Sequence, residues 1–156
     1  MLDDLGALPL FAGLDDAQRR VIGTVALDVH FAAGRRMLFD GQETRAWWLI
    51  RSGSVALDTT VPGRGVVTVQ TLGAGDVLGW SWFVPAQRWR FGAVTLEPVR
   101  ALELDGARLR AVCDADPSLG YRLTQGLLEA AVHGLHSTRA RLLDLYAQPP
   151  DGRRAP

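Results

Sequence analysis

Apolar and polar positions change their period twice along this chain. Near residue 15 the spacing is helical. Asp15 and Asp16 are suited to the free amides and positive end of a helix N-terminus, and Val21, Ile22 and Val25 follow them on one side. This predicts a helix over 15–26, with Gly23 as its weak point. The preceding Leu8-Pro-Leu-Phe-Ala-Gly-Leu14 is an apolar lead-in, read as packing. From Asp28 the period falls to two. Short runs end on glycine: 28–33, 36–40, 47–51, 55–61 and 66–72, with two more at 88–96 and 99–104. Many short strands with turns between them predict a barrel or jelly roll, not alternating βα units. The glycines read as turn residues, since no phosphate-cradling spacing occurs.

At Asp105 the period becomes helical again. Asp105 reads as a cap, with Leu109 and Val112 on one face. Asp116-Pro117 reads as an N-cap followed by proline in the first helical position. A long helix is predicted from there to Ala147, ended by Pro149-Pro150, and residues 149–156 are expected to be a disordered tail. The organisation is one domain over 1–148: helix 15–26, strands 28–104 and helices 105–147.

The long helix carries two overlapping signals. Leu128, Ala131, Leu135, Thr138, Leu142 and Leu145 alternate three and four apart, as in an a/d seam. Gly126, Ala130, Gly134 and Thr138 recur every four residues as a small-residue strip. Glycine inside a helix costs about 1 kcal/mol against alanine, so two of them need a reason. One is close approach to a second helix in a homodimer. The other is packing on the chain's own β body.

Composition narrows the function class. The chain has 156 residues, 47% hydrophobic and 22% charged, which is globular. Seventeen arginines and seventeen acids cancel, which argues against a general polyanion binder. Cys113 is the lone cysteine, so an intramolecular disulfide or cysteine-built zinc site is excluded; it reads as a small buried hydrophobe. The acidic start and the lack of an apolar run near membrane-spanning length point to a cytoplasmic protein with no membrane contact. His133 and His136 sit three apart on the long helix and His30 lies in the first strand, but no carboxylate accompanies them at ligand spacing. Ser52 and Ser54 flank Gly53 in a turn, not in a nucleophile elbow. No metal, no cofactor and no catalytic constellation is expected, and the chain is read as no enzyme.

Four pieces in order resemble one family, the cyclic nucleotide-binding domain of catabolite-activator and Fnr-type regulators, kinases and channels. They are Leu8 to Leu14, Phe31-Ala-Ala-Gly-Arg-Arg-Met-Leu-Phe-Asp-Gly-Gln42, Trp48-Leu-Ile-Arg-Ser-Gly-Ser-Val-Ala-Leu57 and Leu72-Gly-Ala-Gly-Asp-Val-Leu-Gly79. The resemblance implies a mainly β fold with flanking helices. That fold is a double-stranded β-helix (jelly roll, or β-roll) followed by a short helix and a long C-terminal dimerisation helix.

The phosphate-binding cassette departs from the family pattern. The resemblance implies a Gly-Glu at its start, whose carboxylate accepts a hydrogen bond from the ribose 2′-hydroxyl, and an Arg some ten residues on that pairs with the cyclic phosphate. Here Gly79 is followed by Trp80, Ser81 and Trp82, then by Arg88, Trp89 and Arg90. An indole has one N–H donor and no acceptor, so Trp80 cannot replace the Glu. Counting back from strand 99–104 puts Trp89 at the Arg position, and alternation groups Trp89, Phe91 and Ala93 on one face. A one-residue shift brings Arg88 or Arg90 inward instead. Three of the five tryptophans lie between 80 and 89. They could plug the cavity, or line an altered pocket for a flat or apolar ligand, or leave binding of cAMP or cGMP in place.

Only residues 148–156 follow the helix, too few for a DNA-recognition helix. The expectation is a stand-alone regulatory or scaffold protein with a degenerate pocket, acting through an unknown protein partner and binding no DNA by itself. The alternative is a cyclic-nucleotide or other small-ligand sensor with a variant cassette. An enzyme on a jelly-roll scaffold lacks the clustered His and Glu ligands.

Overall fold

A computed structural model describes residues 5–42, 45–79 and 91–147. A 3-10 turn, Pro9–Phe11, precedes helix α1, Asp16–Val25. Strands follow: β1 Ala26–Phe31, β2 Arg36–Leu38, β3 Ala46–Ser52, β4 Val55–Val61, β5 Gly65–Leu72, β6 Val77–Leu78, β7 Gly92–Thr95 and β8 Val99–Asp105. Helices α2, Gly106–Ala115, and α3, Pro117–Ala147, complete the described chain. Two four-stranded antiparallel sheets, in the orders β1-β8-β3-β6 and β2-β7-β4-β5, close into the expected jelly roll. The expected tail, 149–156, lies outside the described residues.

The predicted caps form. Asp15 accepts from the Gln18 amide at 2.9 Å, and Gln18 Oε1 accepts from the Asp15 amide at 3.1 Å, a reciprocal capping box. Asp105 accepts from the Arg108 amide at 2.9 Å and Asp116 from the Leu119 amide at 3.1 Å. One detail of α1 differs from the sequence reading. Ile22 and Val25 face the core, but Val21 is exposed and Gln18 is buried in its place. The buried face of α1 therefore starts at its capping residue, and Gln18 stays satisfied because its side chain also donates to Asp116 at 3.3 Å.

Alternation along β3 and β8 feeds two cores. Trp47, Leu49, Leu102 and Leu104 face the helices and join Phe11, Ile22, Leu109, Leu119, Leu123 and Leu127. Trp48, Ile50, Val99 and Ala101 face into the roll and join Leu38, Val55, Leu57, Leu78 and Ala93. Inside the roll Phe31 meets Trp48 edge to face at 6.5 Å, and the Trp48 indole N–H donates to Glu103 at 2.7 Å. The lead-in is packed as expected, with Leu10, Phe11 and Leu14 buried.

Two features escape period-two reading. β6 is a two-residue strand, paired with β3 through Trp48 and Leu49. In β5, Gln70 pairs with Leu57 and Thr68 with Asp58, so Val69 is an extra residue, a β-bulge. The bulge shifts alternation by one residue: Val69 and, beyond it, Leu72 both pack toward the roll interior, and Gln70 and Leu72 line a cavity.

Candidate functional site

The chain enters the cassette at Gly79, where φ is +93°. A Cβ there would stand 3.2 Å from both the Ala46 carbonyl oxygen and the Trp47 Cα, so glycine is required by backbone angle and by space. The cassette residues Trp80, Ser81, Trp82, Arg88, Trp89 and Arg90 lie outside the described residues. Past them, Ala93 is fully buried opposite Leu57, and Gly92 lies opposite Asp58. A side chain at Gly92 would collide with Asp58 and Arg36. Those two form an ion pair, Arg36 Nη1 lying 2.7 Å from each Asp58 oxygen. In β7, then, Ala93 points into the roll and Gly92 points to a charged outer pair.

A cavity of about 330 Å³ lies between the roll and α3. Leu57, Gln70, Leu72 and Val77 line it from the strands, Asp76 from the turn before β6, and Ala130, Ala131, Gly134 and Leu135 from the helix. Its size is at the lower end of the range for small-molecule sites, about 300–1,000 Å³. Its polar groups are one amide and one carboxylate, with no cation among its described lining residues. Asp76 Oδ2 accepts from the Gly73 amide at 2.8 Å, and the Asp76 backbone is tied to Ile50 and Gly73. Asp76 Oδ1 and the whole Gln70 amide have no partner among the described residues.

The helix residues singled out by spacing divide between two faces. Gly126 lies against the 3-10 turn, where a Cβ would overlap the Leu10 carbonyl oxygen. Ala131 and Gly134 are half-buried over the cavity. Leu128 is 63% exposed and Leu142 49%, while Leu135, 48% exposed, also borders the cavity. Val132 and Tyr146, which the sequence reading left out of the seam, are exposed on the same side as Leu128 and Leu142. The side chain of Leu145 lies outside the described residues. The small-residue strip therefore faces the chain's own body at Gly126 and the cavity at Gly134.

Other candidates separate. His133 borders a second cavity with Glu129 and Asp76, and His136 and His30 are exposed. Among the described residues no group of three or more His, Cys, Asp or Glu is placed to hold a metal. Cys113 packs against the helix-side core; burial pushes its thiol up, and Asp114 and Asp116 push it further, away from the reactive thiolate. Ser54 donates to Glu97 at 2.8 Å. Among the described residues no helix is long and apolar enough to cross a membrane.

The cavity residues Leu57, Gln70, Leu72, Asp76, Val77 and Ala130 were not predicted as a site. The signal in reach was the small-residue strip, which marks a helix face held open but does not say toward what.

Comparison with known proteins agrees with this architecture. No curated protein matches the sequence. A candidate cyclic nucleotide-binding protein from Geobacter metallireducens GS-15 is 25% identical, with TM-score 0.76 over 86% of this chain and 97% of its own. A cyclic nucleotide-binding domain from Methylobacillus flagellatus KT reaches TM-score 0.82 at 17% identity, over 99% of this chain and 86% of its own. The catabolite activator protein of Thermus thermophilus superposes with TM-score 0.68 at 22% identity, over 88% of this chain and 63% of its own. The last two likenesses concern the fold. Residues 28–116, from β1 to the end of α2, match the profile of the cyclic nucleotide-binding domain, and this chain belongs to that family.

Proposed function

We propose that this chain is a non-enzymatic regulatory module that acts through protein contacts, and that its pocket does not hold a cyclic nucleotide in the family's manner. The observation that carries the reading is the cavity against α3. Its described wall offers an anionic ligand no cation, and it carries the Asp76 carboxylate, which repels one. At the cassette entrance Trp80 has no acceptor for a ribose hydroxyl. The phosphate partner would have to come from Arg88 or Arg90. Titration calorimetry with cAMP and cGMP tests this. The expected result is no saturable heat; a dissociation constant below about 10 µM, near −7 kcal/mol, overturns it.

A homodimer through α3 belongs to the same proposal. Leu128, Val132, Leu135, Leu142 and Tyr146 form an exposed apolar strip at heptad-like spacing. Binding no DNA by itself fits a net charge of zero, which supplies no phosphate attraction. A cytoplasmic setting fits a single cysteine.

A further inference from the structure

The edge strand of a sheet presents unpaired amides and carbonyls that can take up another strand, and proteins guard such edges with charge, proline or short length. The orders β1-β8-β3-β6 and β2-β7-β4-β5 leave four edge strands among the described residues. Three are guarded. β6 has two residues, β2 has three including Arg36, and β1 carries Asp28 and His30. β5 is not. Gly65–Leu72 is eight residues long and holds no charged residue and no proline, but three valines and two threonines.

The open part of this edge runs from Gly65 to Val69. Its start is unobstructed, since a Cβ on Gly63 or Gly65 would meet nothing within 4 Å. Val66 is 66% exposed, and Thr68 is exposed. Among the described residues, the backbone of 65–69 is paired on the β4 side alone. At Val69 the bulge interrupts the strand, and from Gln70 onward α3 lies against it. Arg64 stands exposed at the start of the edge, in the turn between β4 and β5. Asp58, across the hairpin from Thr68, is buried and already paired with Arg36.

Size and charge decide the occupant. The open edge is about 17 Å long at about 3.4 Å per residue. It pairs far less surface than the roughly 1,600 Å² of a standard stable interface, so it is too small to join two folded copies. A second copy would also bring another Arg64 and no carboxylate in its own β5. A short extended peptide needs only this length, because its main chain supplies the hydrogen bonds. We propose that the edge of β5 from Gly65 to Val69 accepts an extended peptide of a protein partner as an added antiparallel strand, with a carboxylate at the peptide's C-terminal end facing Arg64. Antiparallel addition continues the direction of every pair in this sheet and brings that end beside Arg64. β-Branched residues in the peptide match Val66 and Thr68. This rests on the proposed reading that the chain acts through protein contacts, and it names one such contact.

Amide-detected NMR on the full chain tests the proposal, with the capped peptide acetyl-Thr-Val-Thr-Val-Thr-Asp-amide as the probe. The expected result is saturable shifts centred on the amides of residues 64–69, half-complete at or below about 1 mM. Two further forms of the peptide carry N-methyl groups on alternate residues, one form for each register. One should bind and the other should not, because alternate residues of a strand turn their backbone groups to the same side. Arg64→Glu, at an exposed turn, should weaken the probe about threefold or more, and a peptide ending in Lys in place of Asp should restore binding to that variant. No saturation by the probe, shifts centred away from β5, equal binding of both methylated forms, or unchanged binding by Arg64→Glu overturns the proposal. Shifts at the same amides that grow with protein concentration alone would assign the edge to a second copy and overturn it too. Each of these failures leaves the protein-contact reading standing on α3, where light scattering tests it. Saturation by cAMP below about 10 µM overturns the non-nucleotide reading instead.

Discussion

Gly126 of the long helix lies directly on the backbone of Leu10, so close that a methyl group at 126 would overlap the Leu10 carbonyl oxygen. A backbone oxygen in a packed turn cannot rotate away as a side-chain end can. The apolar lead-in and the long helix are thereby joined through a position where only glycine fits, and Leu10 and Leu127 are buried beside it.

Gly126→Ala and Gly134→Ala should therefore have opposite signs. At 134 the added methyl meets ordinary contact, so the helical preference for alanine should stabilise by up to about 1 kcal/mol. At 126 overpacking, typically about 1–3 kcal/mol, outweighs the same preference and should leave a net loss of about 1–2 kcal/mol. Urea unfolding of the two variants against the parent reads both signs. A gain at 126 would show that the turn is free to move aside.

The cap of the long helix should make stability acid-sensitive. The Leu119 amide, with the Gln18 side chain adding to it, holds the Asp116 carboxyl below its ordinary value. A group whose pKa is lower in the folded state contributes stability above its unfolded pKa and loses it as pH falls through the folded one. The Asp116 contribution should be complete at neutral pH and fade below the usual carboxylate range, near pH 4. Melting curves from pH 7 to 3 should fall more shallowly for Asp116→Asn than for the parent. Identical slopes would remove Asp116 from the acid response.

Removing one partner of the Arg36–Asp58 pair should cost more than removing both. Asp58 is 7% exposed and contacts Arg36 through both oxygens. Arg36→Met leaves that carboxylate buried and uncompensated. Fully buried pairs lose about 3–5 kcal/mol on such a change; with a third of the Arg36 side chain in water, about 2 kcal/mol is expected here. Arg36→Met combined with Asp58→Leu should recover part of the loss, as a double-mutant cycle in urea would show. A single variant within error of the parent would place the pair among weak surface bridges.

The proposed dimer should be broken from the exposed strip without touching the cavity. Leu128→Asp puts a charge into an apolar seam, at a site 63% exposed in the single chain and absent from the cavity lining. Light scattering should give the variant the 17.0 kDa of one chain and the parent twice that. Thermal melts should show the variant folded. A parent of single-chain mass at high micromolar concentration would leave Leu128, Val132 and Leu142 to another partner.

The elements of this protein are written locally. Capping carboxylates at Asp15, Asp105 and Asp116, the change of period near Asp28 and again at Asp105, and glycines such as Gly41 and Gly63 at left-handed turns each act within a few residues of chain. The pieces of sequence that resemble the family lie in the same strands and turns, so fold and family were legible together. The candidate site was not. The bulge at Val69 sends Gln70 and Leu72 to the cavity, and alternation alone cannot show an inserted residue. Helical spacing grouped Gly126 with Gly134, since positions eight apart share a face. It could not say that one meets Leu10 and the other an open slot, because periodicity fixes the angle between residues on a helix but not what lies along its length. Sequence by itself thus determined the elements, their ends and their order, which depend on contacts between near neighbours. The tertiary structure alone decided what each face meets, because residues 57, 76 and 134 become neighbours only when the roll closes against the helix.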